Sequence, residues 1–237
     1  MKTAMVYAAG LGTRLRPLTE TTPKPLVEIC GKPMLGWIAQ SLKKAGVERL
    51  VLNTHWLPEQ IEAYAKSVLA KDFEVFLSFE PQILGTGGGL YQAREWLQGD
   101  FFLVNADILT NLDFKKFGQQ HEAHGAWISL AVNDRPAPSC LLLDEEGMMV
   151  GLERAGVRQE VVEPEGRVSA WNFCGIHAIG DGFLDSLEEP VCFSIIDEYL
   201  KALSQGLEIR GINIDPARWS DIGSPGELEA ARANWKG

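Results

Sequence analysis

The sequence predicts an α/β protein, a mostly parallel mixed sheet flanked by helices with a small β meander added on one side. From Thr3 to Asp107, short apolar runs alternate with amphipathic stretches, strand, helix, strand, helix, strand. That is the grammar of parallel strands joined by right-handed crossovers. The runs at Thr3 to Ala8 and Phe101 to Asp107 are too continuously apolar to keep one face in water, as befits strands covered on both sides. Between Asn133 and about Ala170, Arg135-Pro136-Ala137-Pro138, Asp144-Glu145-Glu146-Gly147 and Glu163-Pro164-Glu165-Gly166 punctuate short strand-like segments, which is the pattern of a meander.

Taken in order, Thr3 to Ala8 is a core strand that empties into Gly10 and Gly12. Pro33 begins a helix whose apolar positions Leu35, Ile38, Leu42 and Ala45 recur at helical spacing, and Gly46 stops it. Arg49 to Asn53 is the next buried strand, and Pro58 starts a helix through Ile61, Tyr64, Ala65, Val68 and Leu69. Phe73 to Phe79 alternates as a strand near a sheet edge does. Gly85, Gly87, Gly88 and Gly89 open the helix of Leu90, Ala93, Trp96 and Leu97; glycines are costly there unless a ligand approaches bare main chain.

Phe101 to Asp107 is a buried strand ending in an acid, Asp113 caps a short helix with Phe114 and Phe117, and Trp127 to Val132 is another strand. Beyond the meander come the strand Trp171 to His177, the helix Phe193 to Leu203 and the strand Leu207 to Ile214. Trp219 to Gly223 reads as a tight turn, and Ser224-Pro225-Gly226-Glu227 as a capping box for a last helix through Leu228, Ala231 and Trp235. Residues 1–237 are expected as a single domain, with about 133–178 as an insertion.

Composition narrows the function. The 237 residues are 46% hydrophobic and 23% charged, the balance of an ordinary soluble chain. A formal net charge of −10 and the lack of any basic run with interleaved aromatics argue against nucleic acid as a partner. No leader or membrane span is recognisable, so a cytoplasmic protein is expected. Cys30, Cys140, Cys174 and Cys192 form no Cys-x-x-Cys pair and are expected as buried free thiols. His121-Glu122-Ala123-His124 lacks the spacing that puts two histidines on one helix face for zinc, and there is no Gly-x-Ser-x-Gly elbow. One asymmetry stands out: residues 1–32 carry Lys2, Arg14, Arg16, Lys24 and Lys32 against Glu20 and Glu28, or +3, leaving −13 on the remainder. A cationic focus on an acidic body suits a compact polyanion such as a nucleoside triphosphate with its metal.

The focus coincides with Ala8-Ala9-Gly10-Leu11-Gly12-Thr13-Arg14-Leu15-Arg16-Pro17-Leu18-Thr19, followed by Pro23-Lys24-Pro25-Leu26. Glycines after a buried strand let backbone N–H groups converge on an anion, so this is a phosphate cradle. No Gly-Lys-Ser/Thr closes it as in P-loop enzymes, and Leu15 stands where the dinucleotide fingerprint has its third glycine. Together the two motifs closely resemble the signature of the sugar-1-phosphate nucleotidyltransferases, and the resemblance runs along nearly the whole chain. It ends without the long β-helix of bifunctional acetyltransferase relatives.

The resemblance implies a Rossmann-like fold and a Mg²⁺-dependent condensation of a sugar 1-phosphate with a nucleoside triphosphate, giving a nucleotide-sugar and pyrophosphate. It implies Arg14 and Lys24 as catalytic groups, with Ala9, Gly10, Gly12, Thr13 and Arg14 around the phosphates. Glu80, Gly85, Thr86 and Gly87 would lie at the base, and Asn105, Asn172, Phe173 and Gly175 at the sugar. Asp107 and Asp221 would hold Mg²⁺. The family's Glu-Lys-Pro lysine is missing upstream of Trp171, so the grip on the sugar phosphate must come from elsewhere, with Lys24 and Arg154 as candidates. Size, the Gly-Thr-Gly-Gly-Gly run and the short sugar region are most similar to the branch that uridylylates N-acetylmuramate 1-phosphate in cell-wall recycling, and UTP is the expected base donor. The branch that guanylylates mannose or heptose 1-phosphate is the alternative, with Glu80-Pro81 as its sign, and a non-catalytic subunit that only binds nucleotide-sugar is a third. Monomer and homodimer are both compatible with the sequence, with no nucleic-acid or membrane partner.

Overall fold

A computed structural model describes residues 1–187 and 192–235. In chain order its elements are β1 (Thr3–Tyr7), β2 (Glu28–Ile29), β3 (Lys32–Pro33), α1 (Met34–Lys44), β4 (Arg49–Thr54), α2 (Pro58–Ser67), β5 (Glu74–Phe79), α3 (Gly85–Ala93), β6 (Phe101–Asn105), β7 (Ile108–Thr110) and α4 (Phe114–His124). Then follow β8 (Ile128–Asn133), β9 (Ser139–Leu143), β10 (Met149–Arg154), β11 (Val157–Glu160), β12 (Ser169–Ile179), α5 (Ile195–Ser204), β13 (Ile209–Asn213), β14 (Trp219–Asp221) and α6 (Pro225–Asn234).

A ten-stranded sheet runs β11-β10-β9-β12-β6-β1-β4-β5, with β8 attached to β12 and β13 to β8. Strands β6, β1, β4 and β5 are parallel, as the alternation of strand and helix demands; the meander β9-β10-β11 joins antiparallel through β12. The apolar faces of β1, β4 and β6 are buried by α1, α2 and α4 on one side, with Leu35, Leu42, Ile61 and Phe117 in the core. On the other side α3 and α5 cover them with Leu90, Tyr199 and Leu203. Helix ends follow their caps: Asp113 Oδ1 accepts from the Lys116 amide at 3.0 Å, and Gly125 takes the left-handed conformation that ends α4. Glu227 closes the expected capping box by accepting from the Ser224 hydroxyl and the Gly223 amide, both at 2.9 Å. No helix among the described residues is long and apolar enough to cross a membrane.

The structure departs from the sequence reading in four places. Gly85–Gly89 open α3 as expected, but the helix ends at Ala93, so Trp96 and Leu97, expected on it, lie in a following 3-10 turn and its extended end. Trp219–Asp221 is not a turn but strand β14, paired antiparallel with β7 so that Asp221 lies opposite Ile108. Three-residue strands carry too little alternation to be seen in a sequence. The helix capped by Asp113 is eleven residues long, not short. Of the cysteines, Cys174 is buried, but Cys30 and Cys192, which lie in connections, are exposed, and Cys140, at the outer end of β9, is intermediate.

Candidate active site

Parallel register brings three polar strand ends side by side, since Tyr7 pairs with both Asn53 and Asn105. This is the carboxyl edge of the sheet, where ligands of open α/β sheets bind. A cavity of about 360 Å³ opens there, lined by the glycine loop, Lys24, the β6–β7 turn with Asp107, and the entrance to α3. Of the residues expected at the site, Ala9, Gly10, Gly12, Thr13, Arg14, Lys24, Glu80, Gly85, Thr86, Asn105 and Asp107 line this cavity.

The glycine loop is fixed from outside. Gly12 adopts φ +61°, and a Cβ on it would come within 3.0 Å of Lys24 Cβ and Thr19 Cγ2, so the loop packs directly on the Pro-Lys-Pro segment. Thr19 Oγ1 donates to the Gly12 carbonyl at 2.8 Å, and Trp56 Nε1 donates to the Thr19 carbonyl at 2.8 Å. The Arg14 guanidinium lies flat on Gly223, where any side chain would meet it at 2.5 Å. Strand β14 thereby delivers Gly223 beneath Arg14 and Asp221 beside Asp107.

Lys24 Nζ lies 2.5 Å from Asp107 Oδ2, with both side chains mostly buried. Asp221 lines a neighbouring cleft rather than the main cavity. Burial, and then the Asp107 carboxylate beside it, push the Asp221 carboxyl up to about 6 against the pull of Lys24 and Arg14. Asp221 Oδ1 is buried without a hydrogen-bond partner. Two adjacent carboxylates, one with an orphaned buried oxygen, are a donor set that a hard divalent cation would complete. Among the described residues no group of three or more His, Cys, Asp or Glu converges, so the protein offers a pair. That suits Mg²⁺, which keeps waters and binds one or two carboxylates together with substrate phosphates.

At the entrance to α3, Glu80 is fully buried, its Oε1 accepting from Asn53 Nδ2 at 2.8 Å and its Oε2 from the Leu84 amide at 3.0 Å. Asn53 Oδ1 accepts in turn from the Ala8 amide at 2.7 Å, so one carboxylate ties the α3 entrance to the root of the glycine loop. Gly89 is bare because a Cβ would meet Glu80 Oε1 at 2.6 Å, and Gly87 because a Cβ would meet the Phe193 ring at 2.0 Å. The close approach expected of a ligand is thus made at these two glycines by the protein's own side chains. Gly87 is covered by Phe193 and does not line the cavity.

The expected sugar residues divide. Asn105 lines the cavity, with Gly175 (φ +68°) packed behind it at a bulge of β12. Asn172 lines the neighbouring cleft and donates from Nδ2 to Asn133 Oδ1 at 3.0 Å. Phe173 packs edge-on against His177, ring centroids 4.8 Å apart. Arg154 pairs with Asp197 on an exposed surface and lines neither cavity, which leaves Lys24 as the nearer of the two cations considered for the sugar phosphate. Tyr7, Asn53, Gly223 and Phe193 escaped the sequence reading. A polar residue closing an apolar strand was the signal for Tyr7 and Asn53, and Gly223 closed the expected Trp219–Gly223 turn without a role of its own; Phe193 left none, since its partner is distant in the chain.

Known proteins share the motifs and the fold. The nucleotidyl transferase family profile matches residues 3–139. A mannose-1-phosphate guanyltransferase of Schizosaccharomyces pombe is 33% identical over 228 residues, covering 94% of this chain and 61% of that protein. The N-acetylmuramate alpha-1-phosphate uridylyltransferase of Neisseria meningitidis is 47% identical over 113 residues, 47% of this chain and 49% of that one. The chain therefore spans about three fifths of the length of the guanyltransferase relative, 61%. In fold it is similar to HddC from Yersinia pseudotuberculosis, with a TM-score of 0.78 and 23% identity over 100% of both chains. A cradle after β1, a Pro-Lys-Pro lysine and the family profile over more than half its length agree: the chain belongs to the nucleotidyl transferase family.

Proposed function

We propose that the protein condenses a sugar 1-phosphate with a nucleoside triphosphate, forming a nucleotide-sugar and pyrophosphate. The observation that carries this reading is the convergence of Lys24, Asp107 and Asp221, with Arg14 on Gly223, at the open end of the parallel strands. Both reactants are anions, so the site must hold them in line and offset charge growing on the α-phosphate and the leaving pyrophosphate. In this reading backbone N–H groups of the Gly10 to Thr13 loop receive the triphosphate, Arg14 takes the pyrophosphate end and Lys24 the α-phosphate. Asp107 and Asp221 would hold Mg²⁺, which supplies charge neutralisation on the phosphates when bound. Lys24 now compensates Asp107, so its Nζ is free to turn to phosphate where the carboxylate finds another cation.

For the base, the guanylyl reading has the wider support, because relatives so named match 94% of the chain. Uridylyl transfer, which the sequence reading favoured, rests on 47% identity over 113 residues and stands second. For the sugar, the same relatives point to mannose and to N-acetylmuramate. The test is a panel of the four nucleoside triphosphates against sugar 1-phosphates, with pyrophosphate release as readout. GTP with mannose 1-phosphate is the expected leading pair for the first reading, and UTP with N-acetylmuramate 1-phosphate for the second. No release from any pair would defeat both.

A further inference from the structure

Tyr7 ends the central strand β1 and lines the main cavity together with Lys24, Asp107, Gly85 and Thr86. We infer that Tyr7 is a positioning residue for the nucleoside triphosphate: its hydroxyl holds the first turn of α3 against the sheet edge, where Gly85 and Thr86 face the base. The inference rests on the reading of this cavity as a nucleotide site and deepens it by naming the group that sets its base side.

Register decides where Tyr7 points. It lies between Asn105 and Asn53, and Asn53 lies beside Ser78, so four polar side chains cross the carboxyl edge of the sheet in one row. On β1, Ala4 and Val6 belong to the core under α1, whereas Met5 and Tyr7 face the core under α3 and α5. The phenol therefore rises toward α3, and its hydroxyl donates to the Thr86 carbonyl in the first turn. Ser78 meets the other end of the helix, where Gln92 Nε2 donates to its Oγ at 3.2 Å and to the Phe79 carbonyl at 2.7 Å. One row of the sheet thus holds α3 at both ends, and the Tyr7 end is the one that opens on the cavity.

This helix depends on such ties. Gly87, Gly88 and Gly89 each weaken it by about 1 kcal/mol relative to alanine, so its first turns have little stiffness of their own. Their place is set from outside. Glu80 takes the Leu84 amide, the Phe193 carbonyl takes the Gly87 amide, Thr86 Oγ1 takes the Ile195 amide, and Tyr7 takes the Thr86 carbonyl. Left over are the Gly85 and Thr86 amides, which donate to no acceptor among the described residues. Free amides are ordinary in a helix's first turn, and here they belong to two residues that line the cavity. A carbonyl on the base is an acceptor of the matching kind, and such bonds weaken steeply when donor and acceptor fall out of line.

Packing alone does not call for the hydroxyl. A phenylalanine ring would fill the same space beside Leu90 and Tyr199 with no polar atom to satisfy. Burial, and then the Glu80 carboxylate, push the Tyr7 phenol well above its usual pKa, so it remains a donor. Tyr199 does not compete for Thr86, because its own hydroxyl lies 2.7 Å from His177 Nδ1.

The test is Tyr7→Phe in the whole chain, read by calorimetric titration with GTP, UTP and inorganic tripolyphosphate, each with Mg²⁺, and by amide hydrogen exchange. Tripolyphosphate carries the nucleotide's charge without its base or ribose. Kd for the nucleotide that the wild type binds better should rise about fivefold, the worth of one hydrogen bond, while Kd for tripolyphosphate stays within about twofold. In turnover the loss should fall on the KM for nucleotide, with kcat within about threefold. The Gly87 amide should exchange faster in the variant. In the wild type, nucleotide should slow exchange at Gly85 and Thr86 and tripolyphosphate should not, a readout that stands even if the variant does not fold. Equal nucleotide affinity in variant and wild type overturns the inference, whether or not the melting temperature falls. So does equal weakening of nucleotide and tripolyphosphate, which would make Tyr7 a support of the glycine loop, and so does nucleotide binding that leaves exchange at Gly85 and Thr86 unchanged. If the wild type binds neither nucleotide, the nucleotide reading of the cavity fails and this inference with it. If it binds one but releases no pyrophosphate with any sugar 1-phosphate, the transferase reading alone fails.

Discussion

Phe193 lies on the bare face of Gly87: the Gly87 amide donates to the Phe193 carbonyl at 3.0 Å, and a Cβ on Gly87 would fall 2.0 Å from the aromatic ring. The Phe193 amide donates back to the Leu84 carbonyl at 3.1 Å, and the Ile195 amide to Thr86 Oγ1 at 2.9 Å. Residues 193–195, just before and at the start of α5, thus clamp the entrance of α3, whose Gly85 and Thr86 face the cavity. Gly87→Ala should lose about 1–3 kcal/mol to overpacking and raise the KM for nucleoside triphosphate. Adding Phe193→Ala should recover part of that loss, a coupling of about 1 kcal/mol or more in urea denaturation. If Gly87 were bare for the ligand's sake, the double variant would bind nucleotide no better than Gly87→Ala alone.

The two carboxylates make opposite demands on stability and on catalysis. With no cation bound, Asp221 is a buried acid beside Asp107, with one oxygen unpartnered. Asp221→Asn should therefore raise the melting temperature of the metal-free protein, while kcat falls by about a hundredfold or more. Added Mg²⁺ should raise the melting temperature of the wild type and not of the variant. Asp107→Asn should lower kcat similarly, and the double variant should be little worse than either single one, as for residues acting as a unit. Mild and additive losses would separate the two acids.

Glu80 is a brace as built, with both carboxylate oxygens taken by Asn53 and Leu84. In Glu80→Gln an amide NH₂ must face one of these two donors, costing about 1–3 kcal/mol for a buried unsatisfied group. Thermal melting should fall, and KM should rise for UTP and GTP together, leaving their ratio within about threefold. A selective loss of GTP use would instead make Glu80 a direct reader of guanine.

Acid stability should carry the mark of His177. It is 1% exposed, and its Nδ1 lies 2.7 Å from the Tyr199 hydroxyl. Burial pulls its pKa down to about 3 from 6.5, and burial lowers that of His121 as well. The unfolded chain therefore binds protons that the folded chain refuses. Stability from His177 is complete above its unfolded pKa near 6.5 and is lost as pH falls toward 3. The slope is about 1.4 kcal/mol per pH unit for one such group. Urea denaturation between pH 6 and pH 4 should show a slope shallower by about one proton in His177→Gln. An identical slope would mean that His177 is not the group that titrates.

The sequence by itself determined the parallel core and the helix ends, and its resemblance to a known family marked the glycine loop and the two acids. Core and helix ends are local signals: continuous apolar runs, Pro58 at a helix start, Ser224 and Glu227 in a capping box. Tertiary structure alone decided what these signals were for. Gly87 and Gly89 looked like room for a ligand, yet Phe193 and Glu80 fill the space, because contacts between residues far apart in the chain leave no periodic trace. Pairing of β14 with β7, two strands of three residues, brings Asp221 beside Asp107 across more than a hundred residues of chain.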